Sequence, residues 1–373
     1  MLLCLFMLAG CAGQEDVTAG SPMNQAYIDE NWDDGVFGQY YTEKTAKKAK
    51  FDHLEAYVCY GADMRKMGLT DDEYELICYD SDTRFSKNLP GNFDPEAELE
   101  AGKDPGLGIR ELHSEGITGK GINIAIIDQP IAPHIEYEGK LKYYLNMQPE
   151  NTSGSMHGAA HLSIVVGDTC GVAPDASVYY IASPSAGEDV DALRQLLELN
   201  RTLPEEDKLD IVSISYGGYN SSVYAEMQEM CAEQDIALIT CMQPSPFGPV
   251  GRTLSSDPND LSQMTPCLFY IYGGAAYPGT ARHEVCIPID RRTVAAMSGA
   301  DKYYHMTFGG ASWIPPYVAG VYALAKQADG SLSFAEFEKL AVETAEAVKV
   351  YTESGTEYAF NILDPQAIIA SLR

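Results

Sequence analysis

The sequence predicts an α/β fold over residues 106–373: a parallel β-sheet with helices on both faces. Three observations carry this. "INIAIID", Ile122 to Asp128, is a nearly continuous apolar run, as expected of a strand buried on both faces. After it, strand-like and helix-like segments alternate, the order of a parallel sheet joined by crossover helices. The chain has 373 residues, 45% of them hydrophobic and 21% charged, which is enough apolar material for a packed core rather than a disordered chain.

Residues 12–50 are polar and mixed. Residues 51–105 are irregular and acidic, with turn signals such as "DSDTRFSKNLPGNFDP" and only "LEAYVCY" and "YELICYD" resembling strands. The character changes at Gly106, where "GLGIRELHSEGITGKG" reads as a short helix, a turn and a Gly-bounded loop. A helix begins near His157. "SVYYIAS" (Ser177 to Ser183) is a strand, "DVDALRQLLELNR" an amphipathic helix, "LDIVSISYGG" a strand ending in glycines, "SVYAEMQEMCAEQ" a helix and "DIALITCM" another strand. Residues 244–266, "PSPFGPVGRTLSSDPNDLSQMTP", lack periodicity and read as a long loop, either a specificity loop or lid or a surface insertion. Beyond it "LFYIYGG" and "HEVCIPID" are strand-like. "VAGVYALAKQ", "LSFAEFEKLAVETAEAV" and "DPQAIIASL" are helical.

The formal net charge is −29, from 54 acids against 25 bases, a field that repels nucleic acid and anionic membrane surfaces and excludes both as partners. Nine cysteines include no Cys-x-x-Cys pair, so no structural zinc site is expected; cleavage and lipidation at Cys11 would leave seven, an odd count, and several lie in apolar runs, so no disulfide framework is expected either. At the N-terminus, Leu2 to Leu8 form an apolar run too short to span a bilayer but suited to a secretory signal, although no Lys or Arg precedes it. "LAGC", Leu8 to Cys11, resembles a bacterial lipobox, followed by a polar stretch such as a tether would have. This implies lipidation at Cys11 and attachment to the bacterial surface, or secretion, with contact to a membrane only through that lipid. The organisation expected is a signal and tether over 1–20, an extension or propeptide over 21–105, and a main domain over 106–373.

Three residues stand where chemistry is done in such folds. Asp128 closes an apolar strand, and ligands of open parallel sheets bind outside the carboxyl ends of the strands; an acid there is a functional group or a turn former. His157 opens a helix beside Gly158, Ala159 and Ala160, which leave room for close backbone approach. His161, four residues on, lies near the same face and is either a structural partner or exposed. A zinc helix would need a glutamate directly after the first histidine, and Gly158 stands there, so no metal is expected. Ser312, in "GGASWIPPYVAGVYAL", lies at the mouth of a small-residue helix. Taken alone it reads as an N-cap, with prolines tolerated in the first turn.

Together the residues resemble a known family. Asp128, His157 and Ser312 occur in the chain order of subtilisin. "GKGINIAIIDQPI" is similar to the subtilase strand ending in the catalytic acid, "HGAAHLSIVVG" to its histidine helix, "GVAPDASVYYI" to its Gly-Val-Ala-Pro segment, "VSISYGG" to its substrate-lining strand, and "GASWIPPYVAGVYAL" to its serine block. The chain departs from the family at Gln129 and Pro130 after the acid, at Ala311 before the serine, at Trp313, Ile314 and Pro315 after it, and at Tyr317. The resemblance covers about residues 106–348 and implies a subtilisin-like serine endopeptidase. Its triad would be Asp128, His157 and Ser312. The oxyanion hole would combine the Ser312 backbone N–H with Gln243, at the position of the family's asparagine. The segment Ser215, Tyr216 and Gly217 would pair with an extended peptide substrate, Tyr216 either lining a pocket or merely packing. No cofactor is implied, and calcium sites cannot be mapped from the sequence. The rival reading is a subtilase-fold pseudoprotease serving as a binding or scaffold module.

Overall fold

A computed structural model describes residues 58–67, 69–89, 91, 93–147, 154–183, 189–242, 244–254, 257–268, 284–351 and 357–373. In chain order the elements are α1 (Asp71–Tyr74), β1 (Tyr79–Asp80), α2 (Pro95–Ala101), α3 (Ile109–Ser114), β2 (Asn123–Asp128), β3 (Leu141–Asn146), α4 (Met156–Val166), β4 (Ser177–Ala182), α5 (Asp189–Thr202), β5 (Ile211–Ile214), α6 (Ser221–Ala232), β6 (Ala237–Thr240), β7 (Phe247–Arg252), β8 (Met264–Thr265), β9 (Val285–Pro288), β10 (Arg292–Ala295), β11 (Tyr303–Met306), α7 (Ile314–Ala328), α8 (Phe334–Thr344), β12 (Glu346–Tyr351), β13 (Glu357–Ile362) and α9 (Pro365–Leu372).

The central sheet has the order β3-β4-β2-β5-β6, and every pair in it is parallel. β2 lies in the middle and is buried at all six positions. Its alternating side chains serve two cores. Ile124 and Ile126 join the cluster with Ala159, Ala160, Val318 and Val321 of α4 and α7. Ala125 and Ile127 join the cluster with Leu193, Leu196 and Leu197 of α5 and Met227 of α6. Helix packing on both faces explains why the run is apolar without alternation.

Close approach demands the small residues read in the sequence. A side chain at Gly158 would overlap the Gln129 carbonyl oxygen, and one at Gly320 would press into Val172 of the Gly-Val-Ala-Pro segment. α7 begins with Pro315 and Pro316 in its first turn, where no intrahelical N–H is missed.

Two expectations are corrected. The stretch 244–266 is not a lid: its residues Phe247–Arg252 form β7, buried throughout and paired between β9 and β8 in a second sheet of order β12-β13-β9-β7-β8. Only Phe247 and Val250 bring large apolar side chains, while Gly251 lies against Asp290 and Cys267 too closely to carry one. The helix read over 332–348 stops at Thr344, although its start is sharply set by the Ser333–Glu336 capping box. Glu346 opens β12, whose antiparallel pairing with β13 runs from Glu346 opposite Ile362 to Tyr351 opposite Glu357. The strand read in "LFYIYGG" lies, from Phe269 on, outside the described residues.

Residues 58–105 are joined to the main domain. β1 pairs antiparallel with β11, placing Tyr79 opposite His305, in a third sheet of order β1-β11-β10. Arg291 donates to the Glu75 carbonyl, and Thr307 to that of Ile77. Among the described residues no helix is long and apolar enough to cross a membrane.

Candidate active site

Asp128 is the last residue of β2, and its side chain is almost wholly enclosed. Its carboxylate is engaged on both oxygens. Oδ1 accepts from His157 Nδ1 at 2.7 Å and from the Gln129 backbone N–H at 2.7 Å. Oδ2 accepts from His161 Nδ1 at 2.8 Å. Burial alone would push this carboxyl up, but the hydrogen bonds from the two imidazoles outweigh it and hold Asp128 below the usual carboxylate range.

The two histidines diverge although they share a helix and a partner. α4 is capped by Ser155, which accepts from the His157 N–H. His157 sits at its open end, with 28% of its side chain exposed. Burial pulls its pKa down, and the bond to Asp128 with the attraction of that charge pulls harder, leaving it above the ordinary histidine value. His161, one turn deeper, is fully enclosed. There desolvation prevails over the same carboxylate and the pKa is lowered, which favours the neutral imidazole. Its Nε2 lies 2.9 Å from Ser213 Oγ, a buried hydroxyl on β5.

Ser312 lies in a single 3₁₀ turn, Ala311–Trp313, directly before α7. It does not cap: the N-cap position of α7 is Trp313, and no side chain caps either helix. Instead the Ser312 hydroxyl donates to the Ser215 carbonyl at 3.4 Å. Among the described contacts none joins Ser312 Oγ to His157. Trp313 sets its indole near-parallel to the His157 ring, with ring centroids 6.2 Å apart and 21° between their planes. Gly309 makes the space for that indole, since a side chain there would overlap it.

The expected substrate segment is divided. Ser215 is turned inward, its hydroxyl donating to the Ser312 carbonyl at 2.7 Å and lying 3.1 Å from His161 Nδ1. The Tyr216 carbonyl accepts from the Cys241 N–H, while its ring is exposed and packs edge-on against Tyr219. A side chain at Gly217 would press on the Cys241 backbone. Gln243 and Cys11 lie outside the described residues. Among the described residues no group of three or more His, Cys, Asp or Glu is placed to hold a metal ion.

The sequence leaves His161 between a structural and an exposed role and does not single out Ser213. The helical spacing of four between the histidines was the available signal for His161. No local signal marks Ser213, because it meets His161 only through the packing of α4 on β5.

An α/β sheet with an acid at the end of its central strand, a histidine at the mouth of the next helix and a serine in the turn before a small-residue helix defines a subtilisin-like fold. Solved structures agree on the fold. The "Prenylagaramide maturation protease PagA" aligns with a TM-score of 0.50 and 16% identity over 71% of this chain and 98% of that one. A structure described as "Structural basis of subtilase cytotoxin SubAB assembly" aligns at 0.51 and 13% over 72% and 95%. A protease of Pseudoalteromonas arctica aligns at 0.50 and 18% over 75% and 99%. No protein-family model matches. "Serine protease AprX" of Bacillus subtilis is 23% identical over 279 residues, covering 61% of this chain. The match takes in 62% of the length of that relative.

Proposed function

We propose that the chain is a serine endopeptidase working through an acyl-enzyme, with Asp128, His157 and Ser312 as its triad. The observation that carries the reading is the 2.7 Å bond between His157 Nδ1 and the buried Asp128 carboxylate, which leaves Nε2 as the group able to take a proton. The likeness to a serine protease of Bacillus subtilis supports the same class.

Ser312 Oγ would attack the carbonyl carbon of a peptide bond while His157 Nε2 takes the hydroxyl proton. The imidazolium so formed is stabilised by Asp128. The Ser312 backbone N–H and the Gln243 amide would donate to the oxyanion. Collapse of the tetrahedral species breaks the C–N bond, the proton passes from His157 to the leaving amine, and an ester to Ser312 remains. Water, deprotonated by His157, then hydrolyses that ester and restores the hydroxyl. Tyr216 and Gly217 would line the path of an extended peptide. Lipidation of Cys11, with a place on the outer face of a bacterial membrane or in the medium, belongs to the same proposal.

The test is covalent labelling of purified full-length protein with a fluorophosphonate. The expected result is one adduct, on Ser312, lost in Ser312→Ala. A folded wild-type protein that takes no label, or a Ser312→Ala variant that keeps it, overturns the reading and leaves a non-catalytic subtilisin-like module.

A further inference from the structure

His157 accounts for one oxygen of Asp128. The other is held by a second imidazole that the triad mechanism does not use. His161 is wholly buried, and each of its ring nitrogens has a partner. One tautomer satisfies them all. Nδ1–H donates to Asp128 Oδ2 at 2.8 Å and lies 3.1 Å from Ser215 Oγ, while Nε2 accepts from the Ser213 hydroxyl at 2.9 Å. The Ser215 hydroxyl is thereby free to donate its own proton to the Ser312 carbonyl at 2.7 Å.

We propose that His161 is a positioning residue that ties the triad acid to the nucleophile turn through one buried chain, Asp128 to His161 to Ser215 to the Ser312 backbone. The inference rests on the reading of Asp128, His157 and Ser312 as the reacting set. The geometry has two consequences. The carboxylate cannot rotate freely, because both oxygens are bound, and so His157 keeps one orientation. The Asp128 charge is also divided between two donors, so less of it falls on His157 than an undivided carboxylate would supply. The other titratable groups that feel this carboxylate are Tyr180 and Cys241. Burial raises both, Cys241 to about 12, so they stay neutral while the histidines titrate.

Replacing His161 with residues of different donor reach tests the chain. Asn places an amide N–H near the Nδ1 position and can still serve Asp128. Gln reaches only the Nε2 position and can serve Ser213 but not Asp128. Leu serves neither. The readouts are the second-order rate of fluorophosphonate labelling and the pKa of His157 followed by NMR. The expected result is labelling slowed about tenfold to a hundredfold in His161→Leu and His161→Gln, with most of the rate restored in His161→Asn; a small misplacement of a reacting group costs rate on this order. The His157 pKa should rise in the Leu and Gln variants and stay near wild type in Asn. Should the Leu variant fail to fold, the Gln and Asn pair still decides. Equal rates and an unchanged His157 pKa in Gln and Asn overturn the proposal, as does equal loss in both, which would mark His161 as a packing residue. Because the NMR readout needs no turnover, a wild-type protein that does not label refutes the peptidase reading without silencing this test.

Discussion

The hydroxyl of Ser215 donates to the backbone carbonyl of Ser312 at 2.7 Å, and the hydroxyl of Ser312 reaches back to the carbonyl of Ser215 at 3.4 Å. This reciprocal clasp joins the end of the central sheet to the turn that carries the nucleophile. The two residues are 97 positions apart, so the contact is wholly tertiary. Ser215→Ala should leave the Ser312 carbonyl without this partner. The expected loss is about 1–3 kcal/mol of stability, read from chemical denaturation. Labelling at Ser312 should slow as well, because the turn loses its anchor.

The pH dependence has a definite sign. His157 must be neutral to accept the serine proton, and its pKa lies above the ordinary value of 6.5. Labelling should therefore fall to half its plateau above pH 6.5 on acidification. Stability should move the other way. A raised histidine pKa stabilises the fold fully below the unfolded value near 6.5, and that contribution is lost as pH rises through the folded value. The lowered pKa of Asp128 stabilises above the unfolded value near 3.8 and is lost as pH falls through the folded value. The pair should thus contribute most between about pH 4 and 6.5. Thermal midpoints of wild type and His157→Gln, compared across pH 4 to 9, check this. A difference that does not shrink toward pH 9 would contradict it.

Two adjacent glycines should respond very differently. An added Cβ at Gly309 would overlap the Trp313 indole and the Ile289 carbonyl, whereas at Gly310 the nearest atom is 3.9 Å away. Gly309→Ala should displace Trp313 from His157, slow labelling severely and lower the thermal midpoint. Gly310→Ala should stay close to wild type in both. Similar behaviour of the two variants would show that the indole has room to move.

Trp313 is buried with its Nε1 unpartnered. An unsatisfied buried donor costs free energy, so Trp313→Phe, which removes the N–H and keeps a ring against His157, should cost little or even stabilise. Trp313→Ala should cost about 3–5 kcal/mol through the cavity it opens. Denaturant midpoints of the three proteins decide. A Phe variant as unstable as the Ala variant would mean that the indole nitrogen has a partner after all.

Where local chemistry was decisive, the reading from sequence agrees with the structure. Ile124–Ile127 run through a strand flanked by strands and covered by helices, and such a core stretch is apolar at every position. Phe247–Arg252 misled for the opposite reason. Its glycines and proline are turn formers locally, but at Gly251 the strand needs a residue without a side chain because Asp290 and Cys267 press against it. Glu346–Tyr351 misled as well, since "VETAEAV" continues a helical pattern and becomes a strand only because residues 357–362 lie alongside.

The sequence by itself determined the α/β alternation, the acid at the end of the central strand, the histidine beside small residues and the serine before a close-packed helix. Each of these depends on backbone period or side-chain size within a few neighbouring residues. Only the tertiary structure decided that Ser215 faces inward, that Ser312 is clasped rather than capping, and that His161 shares the carboxylate of Asp128. Those contacts join residues up to 97 positions apart. Their energy comes from satisfying polar groups in a largely buried site, and burial of that kind exists only once β2, β5, α4 and the turn before α7 have packed together.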